Sequence, residues 1–146
     1  MINRIFIDSS VLIETYKGNK VNFYQSLFSD NSNQLYLNDI VISEYLYYIL
    51  GFNTGVSPRT LQQKSLIEKT LENETEQVSI LKEFHFLSGN HDFVFEVPRL
   101  MSSYNLLPND AIILATCKLH KTKLASHDTD FITACENENV ELLRDA

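Results

Sequence analysis

The chain has 146 residues, 44% of them hydrophobic and 21% charged, a composition typical of a single globular domain over residues 1–146. The formal net charge of −7 argues against broad, sequence-independent binding of nucleic acid through a basic surface. No apolar run approaches the roughly 20 residues of a membrane helix, and the apolar part of the start is too short for a signal peptide. We therefore expect a cytoplasmic protein without membrane association.

The first third of the chain alternates between strand and helix signals. Its first apolar run shows no alternation, which is typical of a buried strand, and the serines that follow suit a helix start. Asn38 or Asp39 can cap the third helix. In chain order, the sequence predicts a strand over 4–8, helices over 9–18 and 21–31, a strand over 34–38 and a helix over 39–52.

The remainder of the chain predicts more helix and two short strands. Residues 57–84 are expected to form two helices with a break near Asn73. Residues 93–97 are compatible with a strand, whereas 97–104 favour a helix with Pro98 in its first turn. The closing elements are a helix over 109–120, a strand over 123–126, a helix over 128–138 and a strand over 140–143.

Strands that alternate with helices indicate an α/β protein whose mainly parallel sheet, here of four to five strands, is covered on both faces. Functional clefts in such sheets lie beyond the carboxyl ends of the strands. Asp8 ends the first strand, so it is expected to enter this cleft at the N-terminus of the following helix.

Acidic residues occupy similar positions elsewhere. Glu44 falls inside an apolar helix, Asp110 opens another, and Asp128 and Asp130 follow a strand. Taken singly, each except Asp8 is explained as a helix cap, a first-turn acid or part of a polar helix face. Two carboxylates about 5 Å apart repel by roughly 3 kcal/mol at an effective dielectric constant of about 20. An oxygen-only cluster therefore indicates Mg²⁺ or Mn²⁺.

Four further features have a structural interpretation, in two cases beside a functional one. Cys117 and Cys135 fit no zinc-binding spacing and are expected to pack in helices. The basic run 117–123 is either a solvated helix end or a basic edge beside the acidic cleft. The tyrosines of 45–48 suggest base stacking or a protein interface, with core packing accounting for about half of them. His127 is interpreted as a loop residue and not as a metal ligand.

Four motifs together resemble the PIN domain family, and within it the VapC-like toxin ribonucleases. They are "FIDSSVLIE", "SEYL", "NDAIILATCKLH" and "LASHDTDF", in the order and spacing that the family uses. The resemblance covers nearly the whole chain. It implies a three-layer α/β/α sandwich, a divalent metal site and endonuclease activity on RNA, with a homodimer and a small inhibitory antitoxin as partners.

The resemblance also implies roles for individual residues. A metal-activated water would attack the RNA phosphodiester in line and leave a 5′-phosphate and a 3′-hydroxyl. Supporting hydrogen bonds, which orient a ligand or a water, fall on Ser10, Ser126 and Asp130. The catalytic and metal-binding positions fall on Asp8, Glu44, Asp110 and Asp128.

Two other functions are compatible with the sequence. One is a PIN-like module that binds RNA or protein without catalysis. The other is a receiver-like phosphoacceptor. Proteins of that class require paired acids after the first strand, a lone aspartate after the third strand and a lysine late in the chain. The first strand here ends in "DSS", and the late motif carries two acids.

Overall fold

Five short parallel strands form the central sheet of the computed structural model, which describes residues 1–145. Their spatial order is β3-β2-β1-β4-β5, and every neighbouring pair is parallel. The predicted parallel sheet is therefore confirmed. In chain order the strands are β1 (Asn3–Ile7), β2 (Asn33–Leu37), β3 (His85–Phe86), β4 (Lys123–Ala125) and β5 (Leu142–Leu143).

Helices fill the connections between the strands. Asn38 precedes the third helix, and its side chain accepts a hydrogen bond from Val41 N, so it is the predicted cap. In chain order the helices are α1 (Ser9–Tyr16), α2 (Val21–Ser29), α3 (Asp39–Phe52), α4 (Pro58–Gln63), α5 (Ile67–Asn73), α6 (Thr75–Ser79), α7 (Phe93–Tyr104), α8 (Pro108–His120) and α9 (Phe131–Asn137).

The helices form two layers, one on each side of the sheet. In the first, α1 packs on α2 and α3, and α3 packs on α4 and α5; in the second, α7 packs on α8 and α9. The crossovers of a parallel sheet place helices on both faces in this way. The core between the layers includes Phe6, Leu12, Leu124 and Phe131, all fully buried. The predicted three-layer α/β/α sandwich is confirmed.

The strand order reverses between β1 and β4. Ile7 pairs with Ala125, and the backbone N–H of Asp8 donates to the carbonyl of Ala125 at 3.0 Å. The residues that follow these strands, Asp8 and Ser126, therefore lie side by side at the carboxyl edge of the sheet. Ligand clefts of doubly wound sheets form at this topological switch point.

The prediction for residues 85–104 is partly wrong. Residues 93–97 are not a strand but the start of α7, and Pro98 lies inside this helix and not in its first turn. Proline has no backbone N–H, so it cannot donate the helical hydrogen bond to the carbonyl four residues earlier, which here is that of Val94. Val94 itself is an exposed residue. The edge strand β3 was missed because two exposed residues carry no periodic pattern.

Residues 57–84 form more pieces than the predicted two helices. The break near Asn73 is confirmed, but α4 and α5 are separated at Ser65, which adopts a left-handed conformation with φ 56°. A 3₁₀ turn over Ile80–Glu83 follows α6. Among residues 1–145, none of the helices combines the length and apolar character needed to cross a membrane.

Candidate active site

Asp8 is a buried carboxylate, only 3% exposed, at the junction of β1 and α1. It occupies the N-cap position of α1, but its side chain makes no capping hydrogen bond. Its Oδ2 instead accepts hydrogen bonds from Ser10 Oγ and Ser126 Oγ, both at 2.7 Å. Burial raises the pKa of Asp8, while these two hydroxyls oppose the shift. Helix capping therefore does not account for Asp8.

The two serines connect Asp8 to the loop after β4. Their hydroxyl oxygens lie 3.2 Å apart. Ser10 Oγ accepts a hydrogen bond from the backbone N–H of His127 at 2.9 Å, and Ser126 Oγ accepts one from that of Asp128 at 3.0 Å. The hydroxyls thereby fix the loop backbone relative to Asp8.

Glu44 reaches the same edge of the sheet from the second turn of α3. Its Oε1 accepts a hydrogen bond from Ser9 Oγ at 3.0 Å, and its Oε2 accepts one from Asn109 Nδ2 at 3.4 Å. Ser9 follows Asp8 directly, and Asn109 precedes Asp110. Glu44 therefore faces the other acids and does not lie on a separate polar face of its helix.

Asp110 lies in the first turn of α8, where the helix dipole favours a negative charge. Its pKa is nevertheless raised to about 7, because of burial first and then the charges of Asp8, Asp128, Glu44 and Asp130, in that order. Burial and the neighbouring carboxylates thus raise the pKa of Asp110 by more than the helix dipole lowers it. A first-turn acid alone would show the opposite shift, so Asp110 belongs to a cluster of five carboxylates.

Asp128 and Asp130 lie in the loop between β4 and α9. Asp128 Oδ1 accepts a hydrogen bond from the backbone N–H of Asp130 at 2.9 Å, and α9 begins only at Phe131, so Asp128 does not cap it. Carboxylate oxygens of Asp110, Asp128 and Asp130 all lie within 4.8 Å of one another. Asp130, for which the sequence predicts a supporting role, therefore lies within the same distance of Asp110 as Asp128 does.

We define the acid cluster by residues that share one edge of the sheet and offer only carboxylate oxygens. Within residues 1–145, none of them forms an ion pair with lysine or arginine. Uncompensated carboxylates of this kind suit a hard divalent cation such as Mg²⁺ or Mn²⁺. The donor set therefore fits the predicted metal. The cluster consists of Asp8, Glu44, Asp110, Asp128 and Asp130.

Two contacts around Glu44 were missed by the sequence reasoning. The sequence assigns no role to Ser9 or Asn109, although each neighbours an acid for which it predicts one. Only their position next to Asp8 and Asp110 could have indicated a role, because a hydrogen bond to Glu44 depends on how α1, α3 and α8 pack.

His127 lies beside the acid cluster and packs against Phe23, with ring centroids 5.2 Å apart. It is a loop residue, as interpreted. Burial lowers its pKa, and so does the charge of Lys20, the residue before α2. Lys20 therefore supplies positive charge on this side of the acid cluster.

The basic run 117–123 does not border the acid cluster. Asp110 is near the start of α8, and His120 is its last residue, about 15 Å further along the helix axis at 1.5 Å per residue. Lys123 likewise begins β4, whose far end leads to Asp128. The possibility of a basic edge beside the cleft is therefore wrong for this run. Cys117 and Cys135 are free and buried, as predicted.

Comparison with known proteins agrees with this geometry. The family model of the PIN domain matches residues 5–137. Two curated relatives come from Methanocaldococcus jannaschii. Ribonuclease VapC6 is 29% identical over 88% of this chain and 91% of its own length; for Ribonuclease VapC2 the values are 32%, 88% and 87%.

Among solved structures, a member of the VapBC family of toxin-antitoxin systems, VapBC-5 from Mycobacterium tuberculosis, has a similar fold. The TM-score is 0.62 at 15% sequence identity, with 97% of this chain and 98% of the other covered. The fold, the family match over most of the chain and the relatives agree with one another. The chain belongs to the PIN domain family.

Proposed function

We propose that this protein is a divalent-metal-dependent endoribonuclease, the toxin of a toxin-antitoxin pair. One observation carries the proposal: acids from four separate segments lie close enough to raise the pKa of Asp110, and within residues 1–145 none of them pairs with a lysine or arginine. The family supports it, and so do the two relatives, which are named as ribonucleases.

The acids of the cluster would hold one or two Mg²⁺ or Mn²⁺ ions. A cation held there would supply Lewis acidity, which lowers the pKa of a bound water, and positive charge for the phosphate oxygens of the RNA. Asp8 is kept ready to bind by the hydroxyls of Ser10 and Ser126, which favour its charged form. Asp110, with a pKa of about 7, needs a nearby positive charge to stay deprotonated at neutral pH.

Hydrolysis of RNA by an activated water requires no side-chain nucleophile. Both cysteines are buried, and burial raises the pKa of each thiol to about 12. The lowered pKa of His127 keeps its imidazole neutral near pH 7. Hydrolysis by an activated water would leave a 5′-phosphate and a 3′-hydroxyl on the RNA fragments.

Cleavage of RNA by purified protein in Mn²⁺ tests the proposal. Asp8→Asn and Asp110→Asn should each abolish cleavage while the variants remain folded, and excess EDTA should stop the wild type. The matched control is Asp92→Asn, which changes an exposed aspartate outside the acid cluster. Full activity of both cluster variants, or 5′-hydroxyl products, would refute the proposed site.

A catalytically silent binding module is the second candidate. It would bind Mn²⁺ and RNA but cut no RNA, including the target that co-purifies with it. The receiver-like alternative loses support from the fold, because β3 is followed by Leu87, Ser88 and Gly89 and not by an aspartate. Acetyl phosphate should accordingly leave Asp8 unlabelled.

The proposed partners are an RNA substrate, a second copy of the chain and a small antitoxin. The solved relative is described as a toxin-antitoxin system, and exposed apolar side chains such as Val94, Phe95 and Tyr47 are available for contacts. Sedimentation velocity should show a dimer. A small reading frame directly upstream should encode a protein that binds the chain and inhibits cleavage; a monomer, or the lack of such an inhibitor, would contradict these assignments.

A further inference from the structure

Glu44 is held by two neutral side chains that lie outside the acid cluster. Ser9 donates to its Oε1 and Asn109 to its Oε2, at 3.0 and 3.4 Å. Each carboxylate oxygen therefore has its own donor. Ser9 belongs to α1 and is buried, whereas Asn109 belongs to α8 and is exposed.

These donors are placed next to two other acids of the cluster. Ser9 is bonded through the backbone to Asp8, and Asn109 to Asp110. Any shift of Glu44 relative to these acids would break one of its two hydrogen bonds. These two hydrogen bonds thus fix the position of the Glu44 carboxylate relative to the backbone segments that carry Asp8 and Asp110.

We propose that Ser9 and Asn109 are positioning residues that hold the carboxylate of Glu44 in the orientation needed for cation binding. The inference rests on the proposed function. A glutamate has more rotamer freedom than an aspartate, and the negative charges around it favour its rotation towards solvent. Two hydrogen bonds oppose this rotation.

The neutrality of both donors matters. A lysine or arginine in either place would also orient Glu44, but its charge would compensate the carboxylate and compete with the cation. A hydroxyl and an amide fix the direction of the carboxylate and leave its charge available. Hydrogen bonds of this kind to metal ligands are worth about 10- to 100-fold in metal affinity.

Isothermal titration calorimetry of Mn²⁺ into metal-free protein tests the inference without relying on catalysis. Ser9→Ala and Asn109→Ala should each weaken Mn²⁺ binding about tenfold. Ser9→Thr keeps the hydroxyl and should restore the affinity.

The kinetic signature separates positioning from a general structural defect. The Mn²⁺ concentration for half-maximal cleavage should rise in Ser9→Ala and Asn109→Ala, while KM for RNA at saturating Mn²⁺ stays within about twofold of wild type. The matched control is Ser43→Ala, an exposed serine directly before Glu44. Should Ser9→Ala fail to fold, the exposed Asn109 still provides the test.

The outcomes distinguish this inference from the proposed function. If Glu44→Gln weakens Mn²⁺ binding but Ser9→Ala and Asn109→Ala bind like wild type, the positioning inference is wrong and the metal site stands. If Glu44→Gln also binds Mn²⁺ like wild type, Glu44 is not a metal ligand. The positioning inference and the assignment of Glu44 to the metal site are then both wrong.

Discussion

Ser126 donates its hydroxyl hydrogen to Asp8 Oδ2 at 2.7 Å, although the two residues are 118 positions apart. The contact exists because β4 pairs with β1 and both strands end at the same level. It links the first acid of the cluster directly to the loop that carries the last two. A single hydroxyl therefore influences both the charge of Asp8 and the position of Asp128.

Removal of this hydroxyl should shift the pH dependence of metal binding. Burial already raises the pKa of Asp8, and Ser126→Ala removes a donor that lowers it, so the pKa should rise further. The acid limb of the Mn²⁺ affinity profile should therefore move to higher pH. Calorimetry between pH 5 and 8 measures it, with the exposed Ser103→Ala as control; coincident profiles would contradict the role of Ser126.

Without metal, Asp110 should cost stability at neutral pH. Its folded pKa of about 7 is above that of an unfolded aspartate, so its contribution is most favourable below about pH 4 and is lost as pH rises towards 7. In EDTA, Asp110→Asn should therefore melt about 2–5 °C above wild type at pH 8 and close to it at pH 4. Thermal melts measure this difference, and Mn²⁺ should reverse the order at pH 8. Equal melting temperatures in EDTA at pH 8 would show that neither burial nor the neighbouring carboxylates destabilise the ionised form of Asp110.

Lys20 should contribute to RNA binding, because it is the cation whose charge reaches His127 at the edge of the acid cluster. Lys121, at the opposite end of α8, provides a matched control: both lysines are exposed and have left-handed backbones, with φ 52° and 55°. Lys20→Ala should raise KM for RNA and reduce the salt slope of binding by about one, whereas Lys121→Ala should change neither. Equal effects of the two changes would place the RNA elsewhere.

The charged network that joins α7, α8 and α9 should matter for stability and not for cleavage. Glu138 Oε1 is 2.6 Å from both Arg99 Nη2 and Lys118 Nζ, and Tyr104 also donates to Glu138. These donors lower the pKa of Glu138 to about 2. Glu138→Gln should reduce the free energy of unfolding by about 1–3 kcal/mol at pH 7.

The pH dependence of this effect has a defined sign. A depressed folded pKa gives stability that is present above the unfolded value of about 4.5 and is lost as pH falls towards 2. Urea melts should show the difference between Glu138→Gln and wild type narrowing below pH 4.5. The exposed Glu136→Gln is the control, and a constant difference down to pH 3 would contradict the assignment.

The elements that carry the acids were predictable from sequence because each has a strong local signal. The apolar run before Asp8 predicts a buried strand, and the rule that clefts form at strand ends predicts its location. Asp110 follows from the apolar helix that it opens. Their convergence could be anticipated from the parallel sheet alone, before any distance was known.

Other features depend on packing between distant segments and were not predictable. The bonds from Ser9 and Asn109 to Glu44 span 35 and 65 residues and require specific rotamers on three helices. The strand β3 has only two residues, and its pairing with β2 comes from tertiary structure. The sequence predicts a helix start near Pro98, because proline is favoured in the first turn of a helix. This local preference does not show that another turn of helix precedes it.

The pairing of β4 with β1 also sets the order in which the protein can become active during its synthesis. Three of the five carboxylates, and the strand that brings two of them to Asp8, come from the last 40 residues of the chain. A ribosome-bound or prematurely terminated product that stops before Lys123 has no such strand. Chains truncated before β4 should therefore be inert, and the cell would encounter an assembled centre only after β4 and the loop that follows it have been synthesised.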